Sequence, residues 1–273
     1  KLIKDVDYVT QVIDNKPNIT YLTKSIDVVI ISWAKDEALR EVTLKGIDSL
    51  LEDKSTSYNV YVVESNKSVN YDHYNDPGFH WGRKDFKVTT IYTDEPFGYN
   101  RYLNIGIKAG SSPYVALCNS DLTYEKDWAT EMIKVMEAHP EFMSASPWCP
   151  QTQGSNESHK GNVYSGYRVR GELAGWCIFQ QRSIYEKIGS LNEDVDFWYS
   201  DNIYADQISL RGIKHALVAN SVVNHHDGNL GKTGNQVDAR KKFEYTNGQA
   251  AKYQLALKRL NESIQKENHI TNK

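Results

Sequence analysis

Tyr114-Val115-Ala116-Leu117-Cys118-Asn119-Ser120-Asp121 decides the fold of this chain. An unbroken apolar run does not suit a sheet that is wet on one side. It belongs to a strand covered on both faces, as in a parallel sheet. The run stops at three polar residues, the last a carboxylate. Ligands of open α/β sheets bind outside the carboxyl ends of the strands, and a carboxylate there can hold a divalent cation against a diphosphate. Alone, the tripeptide reads equally well as ordinary turn formers at a strand end, so its surroundings must decide.

Upstream, Ile26-Asp27-Val28-Val29-Ile30-Ile31-Ser32-Trp33 carries the same buried-strand signature. Asp36 to Leu51 places Leu39, Val42, Leu44, Ile47, Leu50 and Leu51 near helical spacing. Tyr58 to Val63 predicts a second strand ending at Glu64-Ser65-Asn66, and Val88 to Tyr92 a third after the turn signal Asp76-Pro77-Gly78. Asn100 to Ala109 predicts a helix leading to Gly110, and Trp128 to Ala138 another, closed by Pro140. Residues 149–170, polar and without period, predict a long surface loop that is functional or mobile. Ala174 to Ile178 and Leu217 to Asn224 predict two short strands, and Val237 to Lys266 a terminal helix with Gly248 as its weak point. This rhythm is that of an open, mostly parallel (mixed) α/β sheet flanked by helices. Right-handed crossovers then bring Ser32, Glu64 and Asp121 into one crevice.

Bulk composition sets outer limits. With 273 residues, 40% hydrophobic and 25% charged, the chain fits one globular α/β domain with an appended segment. A net charge of −3 supplies no global basic field for nucleic acid or acidic membrane, although a local groove, and hence a nucleic-acid acceptor, stays open. The three cysteines are odd in number and unevenly spaced, and Cys118 falls inside a buried strand, so a reducing compartment fits better than a disulfide framework. No Cys/His cluster has zinc spacing. Lys1 to Asp7 lacks the apolar stretch of a signal peptide, and no window approaches the roughly 20 apolar residues of a membrane span. A cytoplasmic protein without a membrane span is therefore expected.

Four segments together resemble the GT-A fold glycosyltransferases of the large family-2 type, which use nucleotide-diphosphate sugars. Val28 to Trp33 is similar to that family's opening strand, with Ser32-Trp33 standing where Pro-Thr is common; the end of this strand touches the nucleotide. Val62-Val63-Glu64-Ser65-Asn66 resembles the second strand, whose terminal acid, usually Asp, accepts the imide N–H of uracil. Pro96-Phe97-Gly98-Tyr99-Asn100-Arg101-Tyr102-Leu103-Asn104 looks like the glycine-led loop and helix, with Gly98 permitting close backbone approach and Asn100, Arg101 and Asn104 offering donors near base or ribose. Asn119-Ser120-Asp121 looks like the Asp-x-Asp metal motif, its first Asp replaced by Asn. The resemblance makes Asp121 the ligand for Mn²⁺ or Mg²⁺, hard cations that prefer oxygen, and places Asn119 and Ser120 beside the nucleotide.

Later segments extend the resemblance to about Gly228. Glu172 to Cys177 and Arg182 to Gly189 are similar to the acceptor-side strand and the helix ending in Ile-Gly. Phe197-Trp198-Tyr199-Ser200-Asp201-Asn202 resembles the place where the family carries Glu-Asp; Ser200 replaces the Glu, and Asp201 is the implied catalytic base, with Asp206 the rival. Trp176, Trp198 and Tyr199 would line the acceptor. Val222-Val223-Asn224-His225-His226 resembles the late strand ending in a metal- or diphosphate-binding histidine. In a continuing strand the two neighbours point to opposite faces, and His225 is favoured over His226. Asn229 to Asn235, with Lys232, would form a lid over the diphosphate. It is not a Walker A loop, because His226 stands where the earlier glycine is required.

The implied protein is a single GT-A catalytic domain over residues 1–235, with a nucleotide-sugar half over about 26–125 and an acceptor half over 126–235, followed by a C-terminal helical extension over 236–273. Its expected activity is inverting, metal-dependent transfer from a UDP-sugar to a carbohydrate or other glycosylated acceptor. Alternatives are a binding module that lost catalysis, a retaining transferase, and a nucleotidyltransferase; the last needs a glycine-rich basic loop that Ser32 to Glu37 does not supply.

Overall fold

The computed structural model describes residues 24–76, 83–226 and 248–271. Their elements run in the order β1 (Ser25–Ser32), α1 (Glu37–Glu52), β2 (Ser57–Glu64), β3 (Phe86–Tyr92), α2 (Tyr99–Ala109), β4 (Tyr114–Asn119), β5 (Leu122–Tyr124), α3 (Trp128–Ala138), β6 (Phe142–Trp148), α4 (Pro150–Gln153), β7 (Val163–Ser165), β8 (Cys177–Gln181), α5 (Ile184–Ile188), α6 (Ser200–Ser209), β9 (Lys214–His225) and α7 (Gln249–Thr271). The strands form one mixed sheet in the order β3-β2-β1-β4-β8-β6-β9-β5, with β7 also paired to β9.

Strands β1 to β4 are parallel; β8 runs antiparallel to both β4 and β6, and β9 runs parallel to β6. The carboxyl ends of β1, β2, β4, β6 and β9 and the amino end of β8 therefore meet at one edge. The period of two divides β4 between two cores. Tyr114, Ala116 and Cys118 join Ile47, Leu50, Trp128 and Met132 from α1 and α3. Val115 and Leu117 join Leu103, Ile107, Ile184, Tyr204 and Ile208 from α2, α5 and α6. Burial on both faces is what the apolar run required.

Several predicted boundaries move. Residues 149–170 are not structureless, since α4, a 3₁₀ turn at Glu157–His159 and β7 lie within them. Trp148 stacks on His159, and Trp148 Nε1 donates to the Gly154 carbonyl (2.7 Å), which anchors the segment to the sheet. The strand expected at 174–178 lies at Cys177–Gln181, because Ala174 and Cys177 form a backbone turn around Gly175 and Trp176. Strands β5 and β6 were not anticipated. The terminal helix starts at Gln249, immediately after Gly248 (φ 56°); the part of the expectation before residue 248 lies outside the described residues.

At the amino end of β1, away from the ligand edge, a buried ion pair clamps the sheet. Asp27 is fully buried and accepts from Ser112 N (2.8 Å), Ser112 Oγ (2.7 Å), Asn59 Nδ2 (3.0 Å) and Arg182 Nη2 (2.5 Å). Arg182 also donates to the carbonyls of Ser112 and Ile107, joining β1, β8 and the α2–β4 connection. Removing one partner of a buried pair leaves an uncompensated charge, at a cost of about 3 kcal/mol. Arg182→Met should lower unfolding stability in urea by that order; an unchanged midpoint would show that the clamp contributes nothing.

A second buried network joins β6, β8, β9 and α6. His215 is fully buried, and burial pushes its imidazole from near 6.5 down to about 3. Neutral His215 donates from Nε2 to the Glu172 carbonyl (3.2 Å), and its Nδ1 accepts from Ser144 (2.8 Å). Ser144 in turn lies 2.7 Å from Tyr204 Oη, which accepts from Gln180 Nε2 (2.7 Å). The unfolded chain binds a proton below about 6.5, whereas the native chain does not until about 3. Stability is therefore lost as pH falls through that window, by up to about 1.4 kcal/mol per unit. His215→Gln should flatten the acid limb of a stability–pH curve relative to wild type. Identical slopes would contradict the burial of a neutral imidazole.

Candidate active site

The ligand edge is built around the end of β4. Asn119 N donates to the Trp176 carbonyl (2.9 Å), and His226 N donates to the Asp121 carbonyl (3.0 Å), so backbone bonds hold both ends of the tripeptide. Strand β5 then pairs antiparallel with β9, in the register Leu122↔His225, Thr123↔Asn224 and Tyr124↔Val223. Gly46 of α1 admits this close packing. A Cβ there would lie 2.8 Å from the Leu122 carbonyl oxygen and 3.9 Å from that of Ser120.

This register sets His225 beside Asp121, with His225 Nε2 3.3 Å from Asp121 Oδ1. The imidazole is further held by stacking on Trp176, with ring centroids 5.4 Å apart and planes inclined by 24°. His226 takes the other direction and places Nε2 2.8 Å from Thr123 Oγ1. The alternation expected of a strand thus separates the two histidines, and His225 is the one facing the carboxylate.

Among the described residues, no group of three or more His, Cys, Asp or Glu side chains converges as a ready metal cage. Asp121 and His225 nonetheless fit the two-ligand share a protein supplies when a diphosphate and water complete the shell. Two donors at ~2.1 Å from an octahedral ion and at right angles to each other lie about 3 Å apart, close to the separation seen here.

Other expected residues divide into those at the edge and those turned to structure. Trp33 is 64% exposed beyond β1, with Lys35 Nζ 5.6 Å from its ring centroid. Ser32 is buried, its hydroxyl 3.3 Å from Thr43 Oγ1. Glu64 was expected to read a base, but its side chain is fully enclosed. Its Oε1 accepts from Ala34 N (3.1 Å) and Asn66 N (2.8 Å), and its Oε2 accepts from Tyr71 Oη (3.2 Å). Glu64 thereby ties the loop after β1 to the loop after β2, and the structure brings it to no open surface.

The α2 donors are likewise engaged. Asn100 Nδ2 donates to the Asn192 carbonyl (2.7 Å), Arg101 Nε lies 3.2 Å from Glu193 Oε2, and Asn104 Nδ2 donates to the Leu191 carbonyl (2.9 Å) and to Glu193 Oε1 (2.7 Å). They fasten α2 to the loop before α6. The four-residue spacing of Asn100 and Asn104, beside Leu103 and Ile107, was the readable sign that these two share the helix's buried face. Gly98 caps α2 in an extended conformation (φ −155°), and a Cβ there would meet the side chain of Arg101 rather than an open cleft. Ser120 is half-buried within the motif. Lys232 and the rest of Asn229 to Asn235 lie outside the described residues.

Asp201 sits in the first turn of α6 and is pressed against Gly175, where a Cβ would come 2.6 Å from Asp201 Cβ. Ser200 is buried and donates to the Phe197 carbonyl (2.7 Å), so it serves the turn. Trp176 is 8% exposed, Trp198 is half-buried against Phe197, and Tyr199 stacks on Tyr253 of α7 (5.2 Å, 11°). Gln249 of α7 accepts from Asp196 N and Phe197 N, Lys252 pairs with Asp196, and Tyr253 donates to Asp206 (2.7 Å). The terminal helix therefore braces α6 and the loop that leads into it, and Asp206, the rival base, is occupied in that bracing.

The family model described as Glycosyl transferase family 2 matches residues 27–191, more than half of the chain. The chain belongs to glycosyl transferase family 2. No curated protein matches it. Among solved structures, it is similar to GalNAc-T7 with UDP, GalNAc and Mn²⁺ (TM-score 0.57, 12% identity), covering 75% of this chain and 44% of that one. It is also similar to a mannosyltransferase of Pyrobaculum calidifontis with GDP-Man and Mn²⁺ (0.56, 17%, 80% and 61%). A third likeness is to S. aureus TarS 1–349 with UDP-GlcNAc (0.53, 11%, 77% and 61%). At such identities the likeness establishes the fold, and this family-2 chain has the mixed GT-A sheet expected of it. It spans 44–61% of the length of these solved chains. Among the described residues, no helix is long and apolar enough to cross a membrane.

The geometry makes Glu64 a structural clamp, and this can be checked. Glu64→Ala should leave the backbone N–H groups of Ala34 and Asn66 unpaired and the Tyr71 phenol with only the Ser32 hydroxyl (3.5 Å), and lower stability by about 2 kcal/mol. Unchanged stability together with lost nucleotide affinity would instead mark Glu64 as a base reader.

Proposed function

We propose that this family-2 chain transfers a sugar from a nucleoside-diphosphate sugar to an acceptor hydroxyl, with a divalent metal and inversion at the anomeric carbon. The observation that carries the proposal is the pairing of Asp121 with His225 at the shared carboxyl edge, with Asp201 packed on Gly175 beside Trp176, the residue on which His225 stacks. Asp121 and His225 would hold Mn²⁺ or Mg²⁺, which supplies Lewis-acid neutralisation of the departing diphosphate. Trp33, exposed at the end of β1, offers a flat apolar face to the nucleobase. Asn119 and Ser120 would lie against the ribose. Asp201 would take the proton of the acceptor hydroxyl as that oxygen attacks the anomeric carbon in line with the leaving diphosphate. Uridine is the favoured nucleoside. With Glu64 enclosed, that preference rests on the first and third of the likenesses above, whereas the second carries GDP-Man. Trp176, Trp198 and Tyr199 would flank a carbohydrate acceptor.

A sugar-nucleotide binding module without turnover is the second reading. It is favoured by Ser200, which fills the family's acidic position and is used up in a turn. Turnover of a nucleotide-sugar panel in Mn²⁺ separates the two. Wild type should release nucleoside diphosphate from one donor class. Asp121→Ala should abolish this with the fold intact, and Asp201→Asn should keep nucleotide binding while losing transfer. Near-normal turnover by either variant would remove that residue from its role, and binding without turnover by wild type would favour the module. Product anomer analysis by NMR decides between inversion and retention.

A further inference from the structure

We infer that Tyr99 is a positioning residue that sets the spacing between the donor and acceptor halves of the site; this rests on the transferase reading above. Tyr99 opens α2, and its hydroxyl lies 2.7 Å from Asn119 Oδ1 and 2.9 Å from the Gly175 carbonyl oxygen. A phenol has one proton, so the O–H is held between two acceptors that belong to different halves. Asn119 leads the tripeptide ending in the metal-edge Asp121. Gly175 is the residue against which Asp201 is pressed, with no room for a Cβ between them. The backbone of Tyr99 reaches the third segment, its N–H donating to the Asp196 carbonyl (2.6 Å), while its ring meets Phe197 edge-on (6.0 Å, 66°). One side chain thus joins the end of β4, the turn before β8 and the loop before α6.

The surroundings keep this link protonated. Burial, then the charges of Asp201 and Asp121, push the Tyr99 phenol well above its ordinary value, so it remains a donor across the working pH range. The arrangement also accounts for the amide at position 119. A third carboxylate beside Asp121 and Asp201 would crowd negative charge around a buried phenol, whereas an amide accepts the same hydrogen bond without charge. Tyr99 acts through Asn119 and Gly175, not on the substrate.

The test is Tyr99→Phe, which keeps the ring on Phe197 and deletes the O–H. UDP-N-acetylglucosamine and GDP-mannose serve as probes in Mn²⁺, with nucleoside diphosphate release measured against donor concentration. Loss of alignment predicts a kcat roughly tenfold lower, a donor KM within about threefold of wild type, and a similar melting temperature. Asn119→Ala removes the other end of the same bond and should lower kcat by a similar factor, with the kcat of the double variant no lower than that of either single one; because Asn119 is also placed against the ribose, its donor KM should rise where that of Tyr99→Phe does not. It also serves if Tyr99→Phe does not fold. Wild-type kcat in the folded variants, or losses that multiply in the double variant, would overturn the positioning role. Absence of turnover by wild type on every nucleotide sugar would overturn the transferase reading, and the inference with it.

Discussion

Strand β4 has no wet face, and the layout of the site follows from that constraint. Its side chains alternate between two cores, so polar chemistry can begin only where the strand ends. There the backbone still demands partners. Asn119 N finds the Trp176 carbonyl, and the Asp121 carbonyl finds His226 N. These two bonds draw the start of β8 and the end of β9 to the end of β4. Trp176, His225 and Asp121 are thereby gathered by main-chain requirements before any ligand is considered.

Stability and chemistry are divided between the two edges of the sheet. Asp27 and Arg182 close the amino edge through a saturated buried pair. The carboxyl edge keeps its carboxylate and imidazole partly open, with Asp121 and His225 side chains 22% and 11% exposed. Glu64 belongs in function with the first group, although it lies at the second edge. Its burial fixes the loops that present Trp33 and Asn66. The terminal helix adds an outer brace through Gln249, Lys252 and Tyr253, which makes the loop before Asp201 dependent on residues far along the chain.

Much of this was legible in the residues. Continuous apolar runs gave β1, β2 and β4, and strand alternation separated His225 from His226. Strand β6 was hidden because Ser144, Ser146 and Pro147 break its apolar pattern. Its hydroxyls are buried only because His215, Tyr204 and Ala174 N partner them, and those partners are distant in sequence. Strand β5, three residues long, has too little pattern to read. Asn100, Arg101, Asn104 and Glu64 carry ligand-like chemistry, but type alone does not reveal direction. Each is aimed at a neighbouring loop. Tyr99 was passed over for the opposite reason, since a tyrosine opening an apolar helix suggests packing until the partners of its hydroxyl are known.

The proposed transfer depends on Asp121 and His225 acting as the metal edge of a sugar-nucleotide site. A crystal soaked with Mn²⁺ and UDP, with anomalous data collected at the manganese edge, tests it most directly. An anomalous peak is expected within bonding distance of Asp121 Oδ1 and His225 Nε2, with diphosphate oxygens completing the shell. Manganese bound elsewhere, or UDP bound with no metal beside an intact Asp121–His225 contact, would contradict it.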